Sequence, residues 1–195
     1  RIRQLVVGDD FRFGCDRSGD FKLLQSFGER SNYTVSHTST LVVEGERVSS
    51  TRIRSVLMSG DFAQAERLLG RPYCVSGRVM YGKQLGRQLG VPTANINPGR
   101  KKPVLSGVFA VITRLVNGNE YQGVANIGLR PSIDSTTLLP VLEVHLLDFD
   151  EDLYGQRVAV RFLNKIREEC KFAGLDALKQ QIQKDIQQAR AFFRL

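Results

Sequence analysis

Between Gly82 and Ile96 the chain reads Gly-Lys-Gln-Leu-Gly-Arg-Gln-Leu-Gly-Val-Pro-Thr-Ala-Asn-Ile. Gly82, Gly86 and Gly90, with Lys83 and Arg87 among them, lie just ahead of Pro92-Thr93-Ala94-Asn95. Glycine lets backbone N–H groups come close to a ligand, and lysine or arginine brings charge to phosphate oxygens. The Thr93 hydroxyl and the Asn95 amide oxygen are hard neutral donors, of the kind Mg²⁺ accepts beside a nucleotide's own phosphates. Where Thr93 leads into a strand, 93 and 95 share a face because side chains alternate. The segment therefore offers a phosphate cradle with two oxygen ligands on one side, or else a Gly-rich turn before an ordinary strand.

A second chemical candidate lies in Val141-Leu142-Glu143-Val144-His145-Leu146-Leu147. Alternation puts Leu142, Val144 and Leu146 on one face and Glu143 and His145 on the other. A carboxylate inside an apolar strand is costly if buried without a partner. Glu143 is then either a solvated outward residue or, facing a ligand groove, a group that accepts a proton from a substrate hydroxyl. His145 reads as structural or as support for such a group. Ala125–Ser132 is a further Gly/Pro-punctuated segment with a cation and a hydroxyl, and it is weak alone. Ile166–Phe172 is either a polar connector or a lip that places Arg167 and Phe172 over a ligand; the local pattern favours the connector.

These residues need elements to hold them. In residues 1–71 Leu5-Val6-Val7 ends at Gly8 like a buried strand, and Thr40–Val43 reads as another. Phe11 and Phe13 between them either cover a planar ligand or plug a core, and the local pattern favours the plug. Ser49-Ser50 can cap a helix that runs to Gly60. Asp61-Phe62-Ala63-Gln64 has capping-box spacing, for a helix that stops at Gly70. Arg71-Pro72 makes a domain boundary, giving domains 1–71 and 72–195. Past Pro72 the grammar changes to short β-branched runs over 73–80, 107–115, 121–127, 141–149 and 157–163, with a hairpin turn at Asn117-Gly118. Such runs predict a small antiparallel barrel or sandwich. Leu175, Leu178, Ile182, Ile186, Ala189 and Phe193 recur at helical spacing, with Lys, Gln and Asp assigned to the other face. A helix begun near Asp176 and packed on a barrel would bury that stripe.

Composition narrows the chemistry. Three cysteines far apart, with no CxxC pair, argue against a disulfide framework and a zinc site, and fit a reducing cytoplasm. Two histidines leave little room for a Ser-His-Asp triad. No apolar run approaches the roughly 20 residues that span a bilayer. The net charge is +8; residues 1–71 carry 11 Lys+Arg against 9 Asp+Glu, and residues 72–195 carry 17 against 11. That excess attracts nucleic acid or small phosphorylated ligands alike. No aromatic-rich RNA-binding pattern accompanies it, so a nucleotide is the more economical partner. The chain opens on Arg1 without a signal-like segment and reads as a fragment or processed product.

Five motifs in order carry a closer likeness. They are Gly82…Gly86-Arg87…Pro92-Thr93-Ala94-Asn95-Ile96, Val124–Ser132, Leu142–Phe149, Asp152-Leu153-Tyr154-Gly155 and Ile166–Phe172. Nearly all of residues 72–195 resembles the riboflavin kinase module of the bacterial bifunctional riboflavin kinase/FMN adenylyltransferases, the FAD synthetases. The resemblance implies a six-stranded antiparallel Greek-key barrel with a C-terminal helix. It implies transfer of the ATP γ-phosphoryl group to the terminal ribityl hydroxyl of riboflavin, giving FMN, with Mg²⁺. It places Gly82 and Arg87 in the nucleotide-phosphate loop, Thr93 and Asn95 on Mg-ATP, Glu143 as catalytic base, and Arg167, Glu169 and Phe172 at the flavin. Ser132 stands where the family usually has threonine and keeps a hydroxyl.

Residues 1–71 resemble the later part of the adenylyltransferase module, a partial α/β nucleotidyltransferase (Rossmann-like) domain, so the chain as a whole is expected to be α+β. Val7–Gly14 looks like its flavin-side segment. Ser49-Ser50-Thr51-Arg52-Ile53-Arg54 is similar to its phosphate motif, with Ser50, Thr51 and Arg54 at a helix start where anions are favoured. Neither His37 nor His145 has a second histidine three residues away, so an HxGH-type element is lacking. The expectation is a cytoplasmic flavokinase acting on ATP and riboflavin, without nucleic acid or membrane, that does not itself make FAD. A basic nucleic-acid-binding barrel and a catalytically silent flavin-binding remnant are the alternatives.

Overall fold

The computed structural model describes residues 2–82, 86, 89–97, 99, 103–131 and 138–194, with backbone alone at 129–131 and 138–140. Two compact units divide the chain, Arg1–Ser49 and Ser50–Leu195.

In the first unit β1 (Gln4–Gly8) pairs in parallel with β2 (Thr34–Thr38), and α1 (Phe21–Ser31) connects them. A parallel pair needs such a crossover. Asp20 caps α1 by accepting from the Leu23 amide at 2.9 Å, and Asn32 ends it in the left-handed region at φ 59°. β3 (Val42–Val43) and β4 (Glu46–Arg47) form a short antiparallel pair, so the strand expected over 40–43 shrinks to its two valines. Phe11 and Phe13 stack at 5.8 Å, but Phe11 is 36% exposed and neither ring is buried. They are no core plug.

The second unit is a closed barrel of β5 (Cys74–Met80), β6 (Ala94–Asn97), β7 (Gly107–Arg114), β8 (Glu120–Pro131), β9 (Leu138–Leu146) and β10 (Arg157–Arg167). The strands run β10-β5-β6-β9-β8-β7, and β7 closes back on β10. Every neighbouring pair is antiparallel. The chain leaves β6, crosses to β7, and returns through β8 to lay β9 beside β6; this is the expected Greek-key route. Closure gives every strand a hydrogen-bonded neighbour on both sides. Inward residues alternate along the strands, as in Val75, Gly77 and Val79 of β5. Gly77 is required there, since a Cβ would stand 2.2 Å from the Asn97 carbonyl oxygen on β6.

Helices α2 (Ser50–Ser59) and α3 (Phe62–Leu69) belong to this unit. Leu57, Phe62 and Ala65 enter the same core as the barrel strands, and the Phe62 ring meets Phe109 edge-on at 5.8 Å. Asp61 caps α3 through the Gln64 amide at 2.9 Å, as its spacing predicts. Composition changes at Arg71-Pro72, whereas packing divides the chain at Ser49-Ser50, because these helices bury their apolar residues against the barrel. The last helix, α4 (Leu175–Phe193), packs on the outside of β7, β8 and β10. Arg190 near its end makes a two-pronged ion pair with Asp148, just past β9, at 2.5 and 2.9 Å.

Candidate active site

The register of the barrel builds the site. Asn95 on β6 stands opposite Glu143 on β9, which stands opposite Asn126 on β8; Asn126 in turn faces Val108 on β7, and Val108 faces Arg167 on β10. Directly opposed side chains on one face lie about 4.5–5.5 Å apart. Five strands thus present a continuous row on the outer face, with the carboxylate of Glu143 between two amides. Leu142 and Val144 on either side of it are fully buried in the barrel, which fixes the orientation of Glu143.

The row forms one wall of a cavity of about 210 Å³. Val108 of the row and its neighbour Val124 give that wall an apolar part, and Leu178, Ile182 and Ile186 of α4 line the cavity as well. Thr93, Asn95, Glu143, Arg167, Glu169 and Phe172, six of the residues singled out from sequence, all line it. The α4 stripe is therefore not simply buried on the barrel. It faces a slot with a wet, oxygen-rich side and a dry side.

Gly82 and Gly86 lie against the first two of these residues. A Cβ at Gly82 would sit 2.4 Å from the Asn95 side-chain amide, and one at Gly86 would sit 2.5 Å from the Val91 carbonyl and 3.1 Å from the Thr93 hydroxyl. Only glycine permits so close an approach. Arg87, Lys83 and Ser132 lie outside the described residues. Beyond Thr93 a second cavity, of about 360 Å³, is lined by Pro92, Ala94, Asp152 and Tyr154 among others; Thr93 is on the wall of both.

His145 supports this arrangement. Its Nδ1 lies 2.8 Å from the Pro92 carbonyl oxygen. A carbonyl only accepts, so Nδ1 carries the proton and donates it. The bond ties β9 to the turn that carries Thr93, while the ring lines the first cavity.

The connector after β10 is ordered around Arg167. Its Nε donates to Asp185 at 2.9 Å, its Nη2 to the same carboxylate at 2.8 Å, and its Nη1 to the Glu168 carbonyl at 2.9 Å and the Cys170 sulfur at 3.2 Å. The guanidinium also lies over the Phe172 ring, 5.6 Å from its centroid. The Asp185 carboxylate holds the Arg167 pKa above its usual value through these hydrogen bonds, against the opposing effect of burial. Glu169 accepts from the Ser106 hydroxyl at 3.3 Å and rests against Gly128, where a Cβ would meet its carboxylate at 2.1 Å. The connector is thus a lip of the cavity, contrary to what its local pattern favours.

Two cavity residues escape the sequence reading. Asn126 is hidden because the β8–β9 register is not legible from either strand alone. His145, which reads as structural or as support, makes the bond to Pro92 that such a role asks for. Asp185 was assigned to the polar face of α4, yet it is 3% exposed. Its place seven residues after Leu178 and three after Ile182 puts it on the apolar stripe, and the Arg167 cation is what makes a buried acid tolerable there. Ser50, Thr51 and Arg54 lie exposed on the first turns of α2 and do not line the cavity.

A family model described as riboflavin kinase matches residues 69–193. The chain belongs to the riboflavin kinase family. A second model, described as FAD synthetase, matches residues 1–52. A bifunctional riboflavin kinase/FMN adenylyltransferase of Pseudomonas fluorescens is 50% identical over 97% of this chain and 60% of its own length. The protein of the same description from Haemophilus influenzae is 46% identical over 98% of this chain and 62% of its own. The chain thus spans about three fifths of these relatives. Among solved structures, one titled as a macrolide-efflux protein from Streptococcus pneumoniae superposes with a TM-score of 0.66 at 30% identity, over 94% of this chain and 58% of that one. No helix among the described residues of this chain is long and apolar enough to cross a membrane.

Proposed function

We propose that this chain is an ATP:riboflavin 5′-phosphotransferase, acting in the cytoplasm on small molecules rather than on nucleic acid or membrane. The carrying observation is the in-register row Asn95–Glu143–Asn126 on the wall of a slot whose neighbour cavity shares Thr93. A flat aromatic substrate fits between the apolar side of α4 and Val108 and Val124, with its polyol chain running toward Glu143. The nucleoside of ATP takes the second cavity, so its phosphates pass Thr93 on the way to the acceptor. Gly82 and Arg87 belong to the phosphate loop in this reading.

Glu143 accepts the proton of the terminal ribityl hydroxyl as that oxygen attacks the γ-phosphorus. The new P–O bond forms while the bond to the β–γ bridging oxygen breaks, leaving FMN and ADP. Phosphoryl transfer of this kind asks for positioning and charge more than for covalent chemistry. Thr93 and Asn95 fit Mg²⁺, because the glycines above them leave a cradle that any Cβ would fill and their oxygens are neutral, hard donors. When bound beside the phosphates, the ion neutralises their charge. Ser50, Thr51 and Arg54, as a phosphate motif at a helix start, serve the adenylyltransferase reaction in this reading only in a chain as long as the relatives, and this chain is not expected to make FAD itself.

The test is formation of FMN from riboflavin and Mg-ATP by the purified chain, followed by separation of the flavins. Turnover that is lost in Glu143→Gln, with riboflavin still bound, supports the reading. Riboflavin binding without any FMN from the unaltered chain would leave a silent flavin binder. Binding of oligonucleotides without either would favour the basic barrel.

A further inference from the structure

Arg167 is placed by family likeness among the groups that contact the flavin. Its surroundings describe a different task. Four of its five N–H donors point at the protein: two at Asp185, one at the Glu168 carbonyl and one at Cys170. The guanidinium also lies over the Phe172 ring. A guanidinium so occupied has little left to offer a ligand. It instead gathers one strand end, the three residues after it and one aromatic ring around a single planar ion.

The ion is anchored from α4. Asp185 is 3% exposed, and besides the hydrogen bonds from Arg167 it accepts one from Gln181 one turn back, at 2.8 Å. A buried carboxylate left alone is costly, and so is a half-buried guanidinium. Each therefore fixes the other, and the pair joins α4 to the lip of the slot. Both residues line the cavity.

We infer that Asp185 is a positioning residue: through Arg167 it sets the lip 168–172, and with it Phe172 and Glu169, at the mouth of the flavin slot. The inference rests on the riboflavin kinase reading, and it changes Arg167 from a ligand of the flavin to the hub of the lip. The ATP side of the site, at Thr93 and in the second cavity, shares no residue with this hub.

Kinetics with each substrate varied in turn test this. Asp185→Asn keeps the shape and the Gln181 bond but loses the charge pairing. It is expected to raise the riboflavin KM about tenfold or more while the ATP KM stays within about twofold, a split between substrates that general loosening does not produce. Arg167→Lys keeps a cation for Asp185 but cannot also reach Glu168 and Cys170, and it is expected to behave like Asp185→Asn. The double variant Arg167→Met/Asp185→Leu replaces the pair by apolar volume, which restores packing. Its Tm is expected to recover to that of the unaltered chain while its riboflavin KM stays raised. A recovered Tm with an unchanged riboflavin KM, or equal rises in both KM values, would overturn the inference and leave the pair a stability device. Absence of FMN formation by the unaltered chain would instead remove the kinase reading, and this inference with it.

Discussion

Glu143 is held on both sides by residues of other strands, so its chemistry depends on register as much as on its own identity. Asn95 and Asn126 sit directly across from it, and a one-residue slip of β9 would turn it into the barrel. Replacing it by Gln keeps that geometry and removes only the proton acceptor. We expect Glu143→Gln to lower kcat about 10²–10⁴-fold with little change in Tm, measured by FMN formation and thermal melting. An unchanged kcat would take the base from Glu143. The glycine cradle makes a complementary prediction. A methyl at Gly82 must displace the Asn95 amide, which stands 2.4 Å from it on a strand whose register with β9 sets Asn95 opposite Glu143. Gly82→Ala should therefore raise the KM for ATP more than that for riboflavin. The residues of this row were legible by type and by face: Thr93 and Asn95 share one, as do Glu143 and His145. What brought Glu143 to Asn95 and Asn126 was not legible, because pairing between distant strands is decided by the closure of the whole barrel.

Helix α4 shows what periodicity does and does not reveal. The stripe from Leu175 to Phe193 announces the helix and its inner face, although Leu175 at its start is 57% exposed, and an acid on that stripe reads as surface. Asp185 is buried because Arg167 arrives from β10, a partner that no pattern within the helix discloses. In the first unit α1 and β2 also went unread, but only β2 for a related reason. Of the eleven residues of α1, Phe21, Leu23, Leu24 and Phe27 are apolar and Asp20 caps them, a signal the sequence does carry; β2, Thr34–Thr38, has only Val35 and forms where β1 offers a parallel partner. Toward its end, α4 is fastened by Arg190 and Asp148, and that contact has a sign in pH. The hydrogen bonds from Arg190 pull the Asp148 pKa below its ordinary 3.8. A depressed folded-state pKa gives stability that is present above 3.8 and is lost as pH falls through the folded value. Arg190→Gln is expected to lower Tm slightly at neutral pH, since the pair is exposed and screened. The gap between variant and unaltered chain should close as pH drops below 3.8, and should narrow with added salt at pH 7. A gap that persists in acid would mean that Arg190 acts through packing of its stem.

At the scale of the whole chain, two divisions coexist. One is by pattern, at Arg71-Pro72, where strands begin; the other is by packing, at Ser49-Ser50. They differ because α2 and α3 are helical in sequence but belong to the barrel in energy. Leu57 is 2% exposed, Phe62 6% and Ala65 0%, all three belong to one core with the strands, and the Phe62 ring meets those of Phe109 and Phe162. Lys165 adds a polar tie, donating from β10 to the Met58 carbonyl at the end of α2 at 3.3 Å. A chain begun at residue 72 therefore leaves the Phe109 and Phe162 rings facing water where Phe62 had covered them. Truncating that one ring, Phe62→Ala, costs about 3–5 kcal/mol on general grounds, a large part of a domain's net stability. We expect residues 50–195 to melt cooperatively near the temperature of the same unit in the full chain, and residues 72–195 to melt much lower or to aggregate. The slot, its lip and α4 lie wholly within 50–195, so that fragment should also retain the riboflavin and ATP KM values of the parent. Equal melting of the two fragments would show that α2 and α3 merely rest on the barrel, and the working boundary of the barrel unit would then be the one that composition marks.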